Sequence, residues 1–111
     1  MQKAIYSVSQ SMAQRLGVDS RAVIRDGIDY VVRTGIAYRG KCYVEAFHDP
    51  MWGPGKDYNG PVLENPTWGQ LFKESERQML CTGDLHHCYF EGYEIKNVVN
   101  GVATLVLWMG S

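Results

Sequence analysis

Sulfur chemistry is scarce in this sequence: three cysteines in 111 residues, an odd number and without C-x-x-C spacing. That excludes a disulfide framework and a zinc ribbon, and leaves Cys42, Cys81 and Cys88 to be read as buried free thiols that pack as small hydrophobes. An excess of charge of one sign is also missing. Eleven basic against twelve acidic residues give a formal net charge of −1, so no global field draws the protein to nucleic acid or to an anionic membrane. No apolar run is long enough for a membrane helix, and Gln and Ser interrupt the N-terminal stretch before a signal-peptide core forms. The expectation is a cytoplasmic protein that does not engage a membrane. A glycine-rich phosphate loop, a nucleophile elbow, a His-Glu-x-x-His pair, internal repeats and low-complexity tracts are absent as well. No cofactor and no metal centre are implied, and catalysis is the minority expectation.

What is present is a balanced globular composition, 45% hydrophobic and 12% aromatic, of a size that buries one core. Residues 1–111 are therefore expected to form a single domain. Ile5, Val8, Met12 and Leu16 recur at helical spacing and Gly17 follows, which predicts a first helix. Asp19 or Ser20 caps a second, with Ile24, Ile28 and Val31 on its buried line and Gly35 as its stop. From 37 to 48 the period changes to two, with Cys42, Val44 and Ala46 on one side and Tyr43, Glu45 and Phe47 on the other, the pattern of a strand. Three prolines and three glycines across 49–61 predict a long loop without a regular element, of the kind that serves as a binding loop or lid. Asn65-Pro66 reads as the start of a third helix whose face is Trp68, Leu71, Phe72, Ser75 and Met79, closed by Thr82-Gly83-Asp84. Two β-rich runs, 87–99 and 102–109, flank Asn100-Gly101, the dipeptide of a type I′ turn. The predicted class is α+β: N-terminal helices and one central helix packed on a small antiparallel sheet that ends in a C-terminal β-hairpin.

With Asn100 and Gly101 as the central turn residues, an unbroken register pairs Val99 with Val102, Asn97 with Thr104, Ile95 with Val106, Tyr93 with Trp108 and Glu91 with Gly110. One face then carries His87, Tyr89, Glu91, Tyr93, Ile95, Val106 and Trp108, and the other Phe90, Leu105, Leu107 and Met109 with Glu94 and Lys96. Both faces are too apolar to stand bare in water, so a homo-oligomer, most simply a dimer, is expected.

The segment 82–92 gathers two of the three histidines, an acid on each side and a thiol. On a strand, His87 and Glu91 share a face and form the candidate acid/base pair, while His86 points away, so one metal ion cannot take both imidazoles. The competing reading makes His87 and Glu91 partly buried polar groups hydrogen-bonded in a core or interface. His48, Asp49, Trp52, Tyr58, Tyr89, Tyr93 and Trp108 complete a candidate aromatic pocket under the long loop, concave and apolar with a few polar groups. The preferred function is small-molecule binding or protein interaction; the alternatives are a small acid/base enzyme and a DNA-binding regulator.

That last alternative rests on residues 12–28, Met12-Ala13-Gln14-Arg15-Leu16-Gly17-Val18-Asp19-Ser20-Arg21-Ala22-Val23-Ile24-Arg25-Asp26-Gly27-Ile28. They resemble the helix pair of ribbon-helix-helix repressors, with residues 12–33 as the implied DNA-binding unit. The reading ribbon of that family has no counterpart here, since Ile5, Val8 and Met12 keep the helical period, and with the neutral charge this makes nucleic acid an unlikely partner. Across the C-terminal half, Asn65-Pro66-Thr67-Trp68-Gly69, the His-His and Phe-Glu-Gly of 82–92, and Gly110-Ser111 resemble small uncharacterised bacterial proteins carried on mobile integron gene cassettes. The resemblance implies a compact, often oligomeric α+β protein and carries over no catalytic residue.

Overall fold

The computed structural model describes residues 5–6, 22–25, 28–31, 35–87 and 89–110. Its spine is the C-terminal hairpin, β7 (Tyr89–Val99) against β8 (Val102–Gly110), turned at Asn100 and Gly101. Both turn residues have positive φ, 52° and 75°, as a type I′ turn requires. β4 (Lys41–Ala46) lies parallel to β8, and β1 (Ile5–Tyr6) lies parallel to β7. On the far side of β4, β5 (Tyr58–Asn59) and β6 (Leu63–Glu64) pair antiparallel with its two ends, giving the strand order β1-β7-β8-β4-β5. Among the described residues the architecture is α+β, one helix on a sheet, but the sheet is mixed rather than antiparallel as predicted. The chain leaves β4, makes β5, β6 and a helix, and returns to the sheet through the hairpin, which is a route long enough for a parallel pairing.

The helix, α1 (Trp68–Thr82), starts two residues later than Asn65-Pro66 suggests, because Thr67 is the better cap. The Thr67 hydroxyl accepts from the Gln70 amide at 3.2 Å, and the Gln70 side chain accepts from the Thr67 amide at 2.8 Å, a reciprocal capping box. Asn65 instead takes a left-handed conformation and holds the Gly40 amide through Oδ1. The predicted buried face is the observed one: Trp68, Leu71, Phe72, Ser75 and Met79 pack on Cys42, Val44, Phe90, Tyr93, Leu105 and Leu107 of the sheet. Gly83, with φ 76°, ends α1 by donating its amide to the Met79 carbonyl.

At the N-terminus the predicted second helix is replaced, where the structure describes it, by paired strands, β2 (Ala22–Arg25) and β3 (Ile28–Val31). Arg25 pairs with Ile28, so the intervening dipeptide is Asp26-Gly27, and the flanking residues are rich in β-branched side chains; these local signals outweigh the i, i+4 spacing. Of the predicted first helix, Ile5–Tyr6 is strand and the rest lies outside the described residues. The loop 49–61 also holds more order than its prolines and glycines imply, a 3-10 turn at Pro50–Trp52 and the β5 strand. Cys42 is buried and Cys81 partly so, both free thiols; Cys88 lies outside the described residues. Burial and the nearby Glu74 carboxylate push the Cys42 thiol up to about 11. No helix of the described residues is long and apolar enough to cross a membrane.

Candidate functional site

The hairpin register slips twice. β-Bulges between Phe90 and Gly92 and between Ile95 and Asn97 each add one residue to β7, so Ile95 faces Leu105, Tyr93 faces Leu107 and Gly92 faces Trp108. The predicted face is thereby divided. Tyr93 points inward, almost fully buried, and its hydroxyl donates to the Ala37 carbonyl at 2.5 Å. Trp108, next in chain to the inward Leu107, turns to the opposite face and is 37% exposed. Glu91 occupies the first bulge, exposed, with its carboxylate against Gly110. Tyr89 opens β7 opposite Gly110. Tyr58 donates at 2.9 Å to Glu74, a carboxylate 1% exposed that also takes the Arg77 guanidinium at 2.7 Å. Burial first, then the Glu74 hydrogen bond, push the Tyr58 phenol up to about 12, and Tyr58 packs at the edge of the core.

Another set of side chains does converge, at the C-terminal end of α1. Here the long loop is clamped onto the helix: the Lys56 amide donates to the Cys81 carbonyl at 2.9 Å, and a Cβ at Gly55 would collide with the Thr82 carbonyl. Asp49 caps the 3-10 turn by accepting from the Met51 amide at 2.9 Å. His48 binds the Gly53 carbonyl through Nε2 at 2.7 Å, and because a carbonyl only accepts, this ring nitrogen carries the proton. So fixed, the loop presents Trp52, whose ring lies 4.7 Å from that of His86 and 5.3 Å from that of His87. The two imidazoles were expected on opposite faces of a strand. They lie instead in the turn before β7, where strand alternation does not apply and both reach the same indole.

The partner of His87 is Asp84, not Glu91. Asp84 follows the helix stop and folds back on the chain, its Oδ1 accepting from the His86 and His87 amides at 3.1 and 3.2 Å and its Oδ2 meeting His87 Nδ1 at 2.7 Å. Partial burial works to raise the carboxyl, but the hydrogen bonds from the His87 side chain and the two amides prevail and hold Asp84 below its ordinary value of 3.8. An ionised carboxylate has no proton to give, so Nδ1 of His87 carries the hydrogen. In the tautomer this contact selects, the unprotonated nitrogen is Nε2.

Beside this pair lies a cavity of about 250 Å³. Asp49 and Trp52 contribute from the loop, Gln78, Met79 and Thr82 from α1, Asp84 and His87 from the turn, and Ala46, Phe47 and Met109 from the ends of β4 and β8. Thr82 spends its hydroxyl proton on the Gln78 carbonyl at 2.7 Å. Gln78 is only 8% exposed, and its side-chain Oε1 has no hydrogen-bond partner. A buried amide oxygen without a donor costs about 1–3 kcal/mol. Among the sequence candidates the cavity wall unites Asp49, Trp52 and His87; His48 supports it from behind, while Tyr58, Glu91, Tyr93 and Trp108 are not among its lining residues. Gln78, Thr82, Met79 and Met109 carry no site signal of their own in the sequence; the Asp-x-x-His spacing after a helix-stopping glycine is the signal that pairs Asp84 with His87. Among the described residues no cluster of three or more His, Cys, Asp or Glu is placed to hold a metal ion. Comparison of the chain with protein-family models, curated proteins and solved structures finds no match to any of them.

Proposed function

We propose that the protein binds a small molecule in the cavity between the C-terminal end of α1 and the loop 49–61. The observation that carries this reading is Gln78: a nearly buried amide with an unpartnered oxygen, set in the wall of a void that holds roughly eight waters' share of liquid volume at about 30 Å³ each. Polar and apolar side chains share its wall, and the convergence of polar groups beside two methionines and an aromatic ring beneath a loop supports a ligand site. The volume suits a metabolite fragment rather than a drug-sized compound. The test is a methyl NMR titration of the full chain with a fragment set, reading Met79 and Met109. A ligand that shifts both methyls, and loses affinity when Gln78 becomes Met, supports the reading; shifts confined to other methyls refute it.

Acid/base catalysis is the second reading, favoured by the 2.7 Å contact that fixes His87 in one tautomer with Nε2 toward proton acceptance. Asp84 replaces Glu91 as the orienting carboxylate in this version. Self-association remains part of the proposal for the exposed apolar side chains Phe47, Ile95, Val98 and Val99. Sedimentation at micromolar concentration is expected to give a dimer, and a monomer refutes it.

A further inference from the structure

Several polar groups of the cavity wall are hydrogen-bond acceptors. Two carboxylates, Asp49 and Asp84, line it, and no lysine or arginine is among the described lining residues. Asp84 is engaged with His87 and two amides, whereas Asp49 uses one oxygen for its cap. In its neutral form His87 offers a lone pair at Nε2, since Nδ1 must donate to Asp84. Gln78 adds an amide oxygen without a donor, and the terminal torsion of glutamine is broad enough for a small rotation to bring that oxygen to a guest. Each of these groups can accept, and the fixed charges carried by the described lining residues are the two carboxylates, while the Lys96 ammonium over the outer Phe47 ring is engaged with Glu45. Such a wall disfavours an anion and rewards a cation with several N–H donors. Met79 and Met109 supply an apolar wall for the remainder of the guest.

We propose that the ligand is a small primary ammonium compound with a short apolar body. Its head sits among Asp49, His87 Nε2 and Gln78 Oε1, and its body lies on the two methionines. This rests on the small-molecule reading above and names the class of molecule. Thr82 adds no competing donor to the head group, because its hydroxyl proton is committed to the helix.

The experiment compares three probes of one shape and different charge, n-butylamine, n-butanol and butyrate, titrated into the full chain at about pH 8, where the amine is an ammonium and the acid a carboxylate. Calorimetry gives affinity, and the Met79 and Met109 methyl signals give location. The ammonium is expected to bind about tenfold or more tighter than the alcohol, the size of a hydrogen bond to a charged group, and butyrate not at all. Asp49→Asn keeps an acceptor for the Met51 amide while removing the charge, and is expected to lower ammonium affinity about tenfold and leave butanol unchanged. Gln78→Met is expected to weaken the ammonium while leaving thermal stability equal or higher, a pair of effects that misfolding does not produce. Butanol or butyrate equalling the ammonium at these methyls overturns the proposal and leaves the small-molecule reading standing. Ammonium binding indifferent to both substitutions also overturns it. If none of the three probes moves either methyl at the highest soluble concentration, the ammonium proposal falls, and the fragment titration above decides the small-molecule reading separately.

Discussion

The two halves of α1 meet the same sheet with opposite results. Its N-terminal half, with Trp68, Leu71 and Phe72, drives aromatic and aliphatic surface into a filled core where Trp68 stands 6.2 Å from Phe90 and 5.9 Å from Tyr93. Its C-terminal half, with Gln78, Met79 and Thr82, faces a void that the sheet's ends and a loop enclose but do not fill. One half is arranged for stability, and the other leaves one amide oxygen and some space unmatched. A protein tolerates that second arrangement where a site needs it, since buried polar groups without partners are otherwise removed.

The sharpest way to break this contrast is at its stable end. Trp68→Ala is expected to cost about 3–5 kcal/mol in chemical denaturation, because a large buried side chain leaves a hole the rigid sheet cannot close. A loss below about 1 kcal/mol contradicts the description of a filled core. Tyr93→Phe is next, expected to cost about 1–3 kcal/mol because the Ala37 carbonyl loses its buried donor. Neither substitution is expected to touch the Met79 and Met109 methyl signals.

The same contrast explains what the sequence disclosed. The stable end is legible because periodicity speaks directly about burial: the helix face from Trp68 to Met79, the sides of β4 and the Asn100-Gly101 turn were all readable from spacing. The site was legible only in pieces. Asp49, Trp52 and His87 stood out by chemistry, but their assembly depends on non-local contacts that no local pattern encodes. The bulges illustrate the difficulty. Lys96, the extra residue of one bulge, reaches across β8 to Glu45 at 2.9 Å and to the Phe47 ring, and that long-range contact accompanies a register shift invisible in a two-residue alternation. Gly92, at φ 141°, was the available hint of the other bulge. In the N-terminal third, i, i+4 spacing and the Asp26-Gly27 dipeptide gave conflicting instructions, and the turn signal agrees with the paired strands.

Smaller effects are expected at the open end. Gly83→Ala forces a left-handed residue and drives its Cβ toward the Pro54 carbonyl, with an expected loss of about 1 kcal/mol or more and displaced Trp52 fluorescence. Gln78→Met has the opposite sign, an expected gain of up to about 1 kcal/mol from removal of an unpartnered buried oxygen. The least effect concerns acid. Because the folded Asp84 carboxyl sits below 3.8, its contribution is complete above that value and is lost as pH falls from 3.8 through the depressed folded value. Asp84→Asn should flatten the acid limb of the stability curve in that window and change little near neutrality; an unchanged limb means that Asp84 does not hold His87 in solution.

The most direct test of the central claim is a crystal structure of the full chain soaked with n-butylamine. Density for the amine between Trp52, Met79 and Met109, with the loop clamped at Lys56 and Gly55 and Asp84 on His87 Nδ1, is the predicted result. A cavity closed by Phe47 or Met109, or a loop lifted from the end of α1 with Asp84 and His87 apart, would contradict it.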